Sequence, residues 1–105
     1  MTERRRLPNR RVSETIAFEW LGMRFTATFS RFQNGDLAEI FLTNHKVGTH
    51  ADTAARDSAV VASLALQHGT PLETLRRALL RDSQGVASGP LGIALDALAA
   101  LEGTR

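Results

Sequence analysis

The sequence contains no cysteine and no tyrosine, and only one tryptophan and one lysine. Without cysteine there is no disulfide framework, no thiolate zinc site and no thiol radical or redox relay carried by this polypeptide. No apolar run approaches the roughly 20 residues of a membrane span. The arginines near the start lead into no apolar signal core, so neither a span nor a signal peptide is expected and the expected location is cytoplasmic. Proline is sparse, with 3 residues, and there are no internal repeats. A chain of 105 residues suits one domain with one modest core.

The formal charge of +2 is unevenly spread. Arg4, Arg5, Arg6, Arg10 and Arg11 stand against a single Glu3, so the rest of the chain carries 8 basic and 10 acidic residues. Residues 1–11, broken at Pro8-Asn9, read as a flexible Arg-rich arm, and residues 12–102 as the domain. Such an arm can hold nucleic acid, an acidic partner or the domain's own acidic face, or remain solvated.

From Ser13 the pattern turns β-prone. Thr15 to Trp20, Arg24 to Phe32 and Leu37 to Leu42 predict three strands, with Leu21-Gly22 and Asn34-Gly35 between them, and hence an antiparallel meander. Phe25, Ala27 and Phe29 are expected on one face. Ile16 or Phe18, Trp20 and in part Phe32 are expected on the other, and an apolar second face predicts a homodimer. A loop, His45 to Thr49, leads into a run from His50 to His68 that has neither Gly nor Pro between Ala51 and Leu66. This run predicts the long central helix, packed on the sheet and, being apolar almost all round, covered on several sides. Gly69 ends it. Thr70-Pro71-Leu72-Glu73 has the form of a capping box opening a second helix to about Arg81. Its buried stripe is Leu72, Leu75 and Leu79, with Leu80 a possible fourth member, and Arg76, Arg77 and Arg81 are outside. Ser88-Gly89-Pro90 introduces a third helix, Leu91 to about Leu101. The fold class is α+β: a three-stranded antiparallel meander followed by three helices.

The loop before the central helix is the best candidate site. Lys46 supplies a cation, Gly48 a tight turn, and the amides of Thr49, His50 and Ala51 point out of a helix N-terminus, where a phosphate, a nucleotide or a carboxylate is favoured. The loop matches neither a Walker A motif nor a dinucleotide fingerprint. The plainer reading is a strand-to-helix turn with Asp52 capping the first turn. No metal or cofactor is expected: His45 and His50 lack a standard ligand spacing, and His68 lies about 27 Å away along the helix, where a cation suits the C-terminus. Asp57 and Ser58 are helix neighbours pointing about 100° apart and form no catalytic constellation, so no catalytic residue is assigned. Arg76, Arg77 and Arg81 make a basic patch of the kind that is usually a solvated face.

Most of residues 12–101 resembles the TSCPD domain, most plainly from His45 onward; this is a module usually appended to the C-terminus of B12-dependent (class II) ribonucleotide reductases and also found as short stand-alone proteins. The resemblance rests on Leu37-Ala38-Glu39-Ile40-Phe41-Leu42 and on Lys46-Val47-Gly48, where the family tends to have Gly-Lys-Ala-Gly. It is most specific through Ser63-Leu64-Ala65-Leu66-Gln67-His68-Gly69-Thr70-Pro71-Leu72-Glu73, similar to the family's SLALRSGVPLEE. It ends with Ala87-Ser88-Gly89-Pro90-Leu91 in the place of Thr-Ser-Cys-Pro-Asp. The family's cysteines fall near Gly22, at His50 and at Gly89, and the name-giving Asp is Leu91.

The resemblance implies a non-catalytic accessory or regulatory module related to ribonucleotide reductase, which binds a nucleotide, an anion or a protein partner through Lys46, Gly48, Thr49 and His50. Two alternatives stand beside it. One is a nucleic-acid-associated protein using Arg4, Arg5, Arg6, Arg10 and Arg11. The other is a subunit or remnant of a ribonucleoside-diphosphate reductase in deoxyribonucleotide synthesis, whose missing chemistry a partner would have to provide.

Overall fold

β1 (Ser13–Trp20), β2 (Met23–Arg31) and β3 (Leu37–Asn44) lie side by side in chain order, each antiparallel to the next, as the meander predicts. The computed structural model describes residues 3–4 and 13–103. Two residues, Leu21 and Gly22, join β1 to β2, and Trp20 faces Met23 as the closing pair. Both have positive φ, 50° and 74°, the mark of a type I′ turn whose twist matches that of the strands. The β2–β3 connection is longer. Phe32 N–H donates to the Asp36 carbonyl at 2.8 Å, Gly35 N–H to the Phe32 carbonyl, and an irregularity at Ser30/Arg31 shifts the register.

Register decides what each face carries, because directly opposed residues of an antiparallel pair point to the same side. Phe18 opposes Phe25, Ile16 opposes Ala27, and on the other flank Leu42 opposes Ala27 and Ile40 opposes Phe29. Ile16, Phe18 and Trp20 therefore share the inner face with Phe25, Ala27 and Phe29, where Phe18 stacks on Phe25 with ring centroids 5.6 Å apart. This corrects the expectation that they line a second apolar face. Phe32 is buried in the loop beyond β2. The outer face instead carries threonines, with Thr15 and Thr28 hydroxyls 3.3 Å apart across the strands, beside an exposed Phe41 opposite Thr28, so the residues on which the expected homodimer rests belong to the core side of the sheet.

Two helices cover the inner face. α1 (His50–Gln67) packs along β3 through Ala55, Ala59, Ala62 and Leu66, and α3 (Pro90–Gly103) fills the space beside it with Ala94, Leu95 and Leu98. Small alanines allow α1 to approach closely, and α3 takes the room that would have wrapped α1 further. The outer side of α1 consequently bears exposed Val60, Val61 and Leu64; the helix is covered along one stripe, not on several sides. Its end closes as expected, with Gly69 N–H on the Leu66 carbonyl and Thr70 N–H on the Ala65 carbonyl, the paired bonds of a Schellman motif.

The polar members of the α1 stripe serve β3. As the edge strand, β3 turns one row of backbone groups away from β2, and unpaired groups there would be costly. Ser63 Oγ accepts from Ile40 N–H at 2.9 Å and donates to the Ile40 carbonyl at 3.0 Å; Gln67 Nε2 donates to the Ala38 carbonyl. Asp52 Oδ1 accepts from Asn44 N–H at 2.9 Å. Three side chains of one helix thus seal a sheet edge.

α2 (Leu72–Ala78) is shorter than expected and buries no residue fully. Its N-cap is Pro71 and not the expected Thr70, and a proline side chain has no acceptor to cap with; the Glu73 carboxylate pairs with Arg76. Beyond Ala78 the backbone extends, since Arg81 pairs with Ala87 in an antiparallel bridge. The Arg81 guanidinium donates to the Arg76 carbonyl and to both carboxylate oxygens of Asp96 on α3, and Arg76 Nε donates to Asp96 Oδ1 at 2.9 Å. Arg76 and Arg81 are therefore structural clamps, and of the expected basic patch only Arg77 is left facing solvent. Held first by Arg81 and then by Arg76, Asp96 titrates at about 2, below the usual carboxylate value of 3.8.

Candidate functional site at the N-terminal end of α1

The loop His45–Thr49 is tied from within. Thr49 is the N-cap of α1: its hydroxyl accepts from Asp52 N–H at 3.2 Å and donates to the Lys46 carbonyl at 3.0 Å. Lys46 N–H donates to Asn44 Oδ1 at 2.7 Å. Gly48, with φ of 85°, gives its N–H to Asp52 Oδ2 at 3.3 Å. Asp52 is almost wholly buried and also accepts from Arg56 Nε at 2.9 Å. The Asn44 amide foremost, then Arg56 and the Gly48 amide, hold its carboxyl below the ordinary value against the opposing effect of burial. The anion at this turn is thus the chain's own Asp52, though it serves as a clamp between β3 and α1 while Thr49 takes the cap.

What remains free is on the outside. Lys46 and His50 are exposed, and no described acidic group pairs with the Lys46 ammonium. Among the first-turn amides, those of His50 and Ala51 lie before the first intrahelical bond, Thr53 N–H to the Thr49 carbonyl. His45 turns away, its Nε2 lying 3.2 Å from Thr26 Oγ1 on the outer sheet face, and His68 sits beyond the other end of α1. Among the described residues no group of three or more His, Cys, Asp or Glu converges to hold a metal ion. Ser58 Oγ donates back to the Ala55 carbonyl, its one partner among the described residues, which is no base.

His50 also borders a feature that the sequence did not disclose. A cavity of about 620 Å³ opens between the β1–β2 turn, the first half of α1, the segment after α2 and the start of α3. Its walls are apolar, chiefly Trp20, Leu21, Met23, Leu79, Leu80 and Leu91, and no acidic residue lines it. The places where the TSCPD resemblance puts cysteines, near Gly22, at His50 and at Gly89, all border this one cavity. Only the doublet Leu79-Leu80, running past the end of α2, could have signalled it. Of the arm, Arg4 is described, and its Nε donates to Gln67 Oε1 on α1. Arg5, Arg6, Arg10 and Arg11 lie outside the described residues.

Against known proteins, the chain is 37% identical over 71 residues, 68% of its length, to the vitamin B12-dependent ribonucleotide reductase of Agrobacterium fabrum. It is 33% identical over 73 residues to the enzyme of the same description from Bradyrhizobium diazoefficiens. The chain is related to a segment of ribonucleotide reductase. It spans only 6% of the length of either relative, and the reductase activity and its vitamin are properties of those much longer proteins. A cavity of about 620 Å³ is within the size range of small-ligand sites. No family model matches the chain, and no solved structure does. No described helix is long and apolar enough to cross a membrane.

Proposed function

We propose that this ribonucleotide-reductase-related chain is a non-catalytic accessory module of the TSCPD type that works by binding at the N-terminal end of α1. The observation that carries the reading is the match to a small segment of a much longer reductase, in a sequence that itself has no cysteine. Reduction of a ribonucleotide through thiols is beyond such a chain, whereas binding needs only a surface. The loop supports an anionic ligand, a nucleotide phosphate or the carboxylate of a partner protein. Gly48, Thr49 and Asp52 set the turn, the Lys46 ammonium supplies the charge, and the His50 and Ala51 amides supply donors at a helix N-terminus.

A thermal-shift titration with ribo- and deoxyribonucleoside triphosphates, inorganic phosphate and a short DNA duplex, repeated with Lys46→Ala, tests the loop. A rise in melting temperature of several degrees with a nucleotide, abolished by Lys46→Ala, is the expected result for a nucleotide ligand. A response to phosphate and nucleotide alike assigns a simple anion site. A response to DNA alone, insensitive to Lys46→Ala, removes the loop as the site.

A further inference from the structure

We infer that the cavity beside His50 is a docking groove for an apolar segment of a reductase polypeptide. The inference rests on the reading of this chain as a reductase-related accessory module, and not on the anion site at Lys46. The first observation is Leu21. It occupies the first central position of a type I′ turn with φ of 50°, a place that suits Asn, Asp or Gly and is strained for a leucine. The residue is 76% exposed. A bulky apolar residue held in a disfavoured conformation and offered to water is an outlier of the kind that gathers at binding sites.

The second observation lies on another wall. Leu80, just past α2, is 79% exposed, and it lines the same cavity as Leu21. Trp20, Met23, Leu79 and Leu91 form the interior. A small molecule within the cavity would leave both leucine lips in water, whereas a polypeptide that inserts one or two apolar anchors and lies across the mouth would cover them, the usual anatomy of an interface hot spot. Charge agrees with a neutral or acidic segment. No acidic residue lines the groove, and the amino ends of α1 and α3, two helices of 18 and 14 residues, both open on it at His50 and Pro90. The occupant is a reductase segment because the relatives carry this sequence as 6% of one long polypeptide, so that in them the module is covalently tied to the partner proposed here.

Immobilised chain is titrated with a B12-dependent ribonucleotide reductase lacking the region that matches it, using wild type, Leu21→Asn, Leu80→Asp and, on the outer side of α1, Val61→Asp. Leu21→Asn suits the turn better than leucine does, so a loss of binding cannot be a loss of folding; thermal melts of each variant accompany the titration. The expected result is binding by wild type and Val61→Asp, weakened at least tenfold by Leu21→Asn and by Leu80→Asp. Binding that neither groove variant weakens overturns the groove and leaves the accessory reading intact. Absence of binding by wild type overturns both. A hydrophobic dye that quenches the fluorescence of Trp20, the single tryptophan, while the reductase fails to displace it assigns the cavity to a small ligand and overturns the groove.

Discussion

Leu21 and Gly92 show how one side chain's surroundings set the sign of a substitution. The left-handed backbone at Leu21 costs a leucine about 1–2 kcal/mol, a cost that Asn evades in part by bonding locally. Leu21→Asn is expected to raise the unfolding free energy by about 0.5–1 kcal/mol, read as a higher urea midpoint with unchanged slope. Gly92 lies inside α3, where replacing glycine by alanine ordinarily stabilises by roughly 0.5–1 kcal/mol. A Cβ there would lie 2.8 Å from the Ala87 Cβ, which sits on a short bridged segment with little freedom to retreat. Overpacking of about 1–3 kcal/mol outweighs the helix gain. Gly92→Ala is therefore expected to destabilise, and a higher urea midpoint would contradict the packing described. Neither residue stands out in the sequence, because a strained turn and a close approach exist only once two elements have met.

Among the elements, the seal between α1 and β3 rests on side chains that a sequence reader passes over. Ser63→Ala leaves the buried Ile40 N–H and carbonyl without their partner and is expected to cost about 1–3 kcal/mol. Ser58→Ala removes only a bond back to the helix's own carbonyl and is expected to fall within about 0.5 kcal/mol of wild type; paired denaturant melts compare the two. Ser63 and Gln67 stand in the stretch that most resembles the TSCPD pattern, yet their role appears only when a strand edge is laid against the helix. The strands, their order and the long helix were legible because alternation, the Leu21-Gly22 and Asn34-Gly35 turns and a break-free apolar run are local signals. The faces of the sheet were not, since Ile16, Phe18 and Trp20 take their side from the two-residue turn that fixes the register of β1 on β2. The capping box at Thr70 failed because the helix starts one residue later, with Pro71 at its N-cap and Glu73 out of the capping-box position. Arg76 competes for Glu73, and the pull of Asp96 on Arg76 and Arg81 belongs to tertiary structure.

Across the whole molecule, the carboxylates act as clamps, which makes stability depend on acid. Asp96 is lowered to about 2 from 3.8, and Asp52 is lowered as well, by the Asn44 amide first. Because the folded values lie below the unfolded ones, the ionised carboxylates contribute stability that is fully present above roughly pH 4–5 and is lost as pH falls toward 2. The melting temperature is expected to decline across that window. Asp96→Asn should melt lower than wild type at pH 7, with the gap closing near pH 2; a gap independent of pH would show that the charge of Asp96 is not what joins α2 to α3. The candidate site was legible in part. Lys46, Gly48, Thr49 and His50 do form the entry to α1, but the sequence could not show that Asp52 already engages the Gly48 amide, nor that the β1–β2 turn and the start of α3 build an apolar cavity next to His50.

Turnover and complementation together decide whether this chain is an accessory to a reductase. The purified chain is assayed for conversion of ribonucleotides to deoxyribonucleotides with the vitamin B12 cofactor and a dithiol, alone and together with a reductase from which the matching region has been removed. A non-catalytic accessory module predicts no product from the chain alone, and a change in the rate or nucleotide dependence of the truncated reductase when the chain is added. Product formed by the chain alone, or a truncated reductase indifferent to saturating chain, would contradict it.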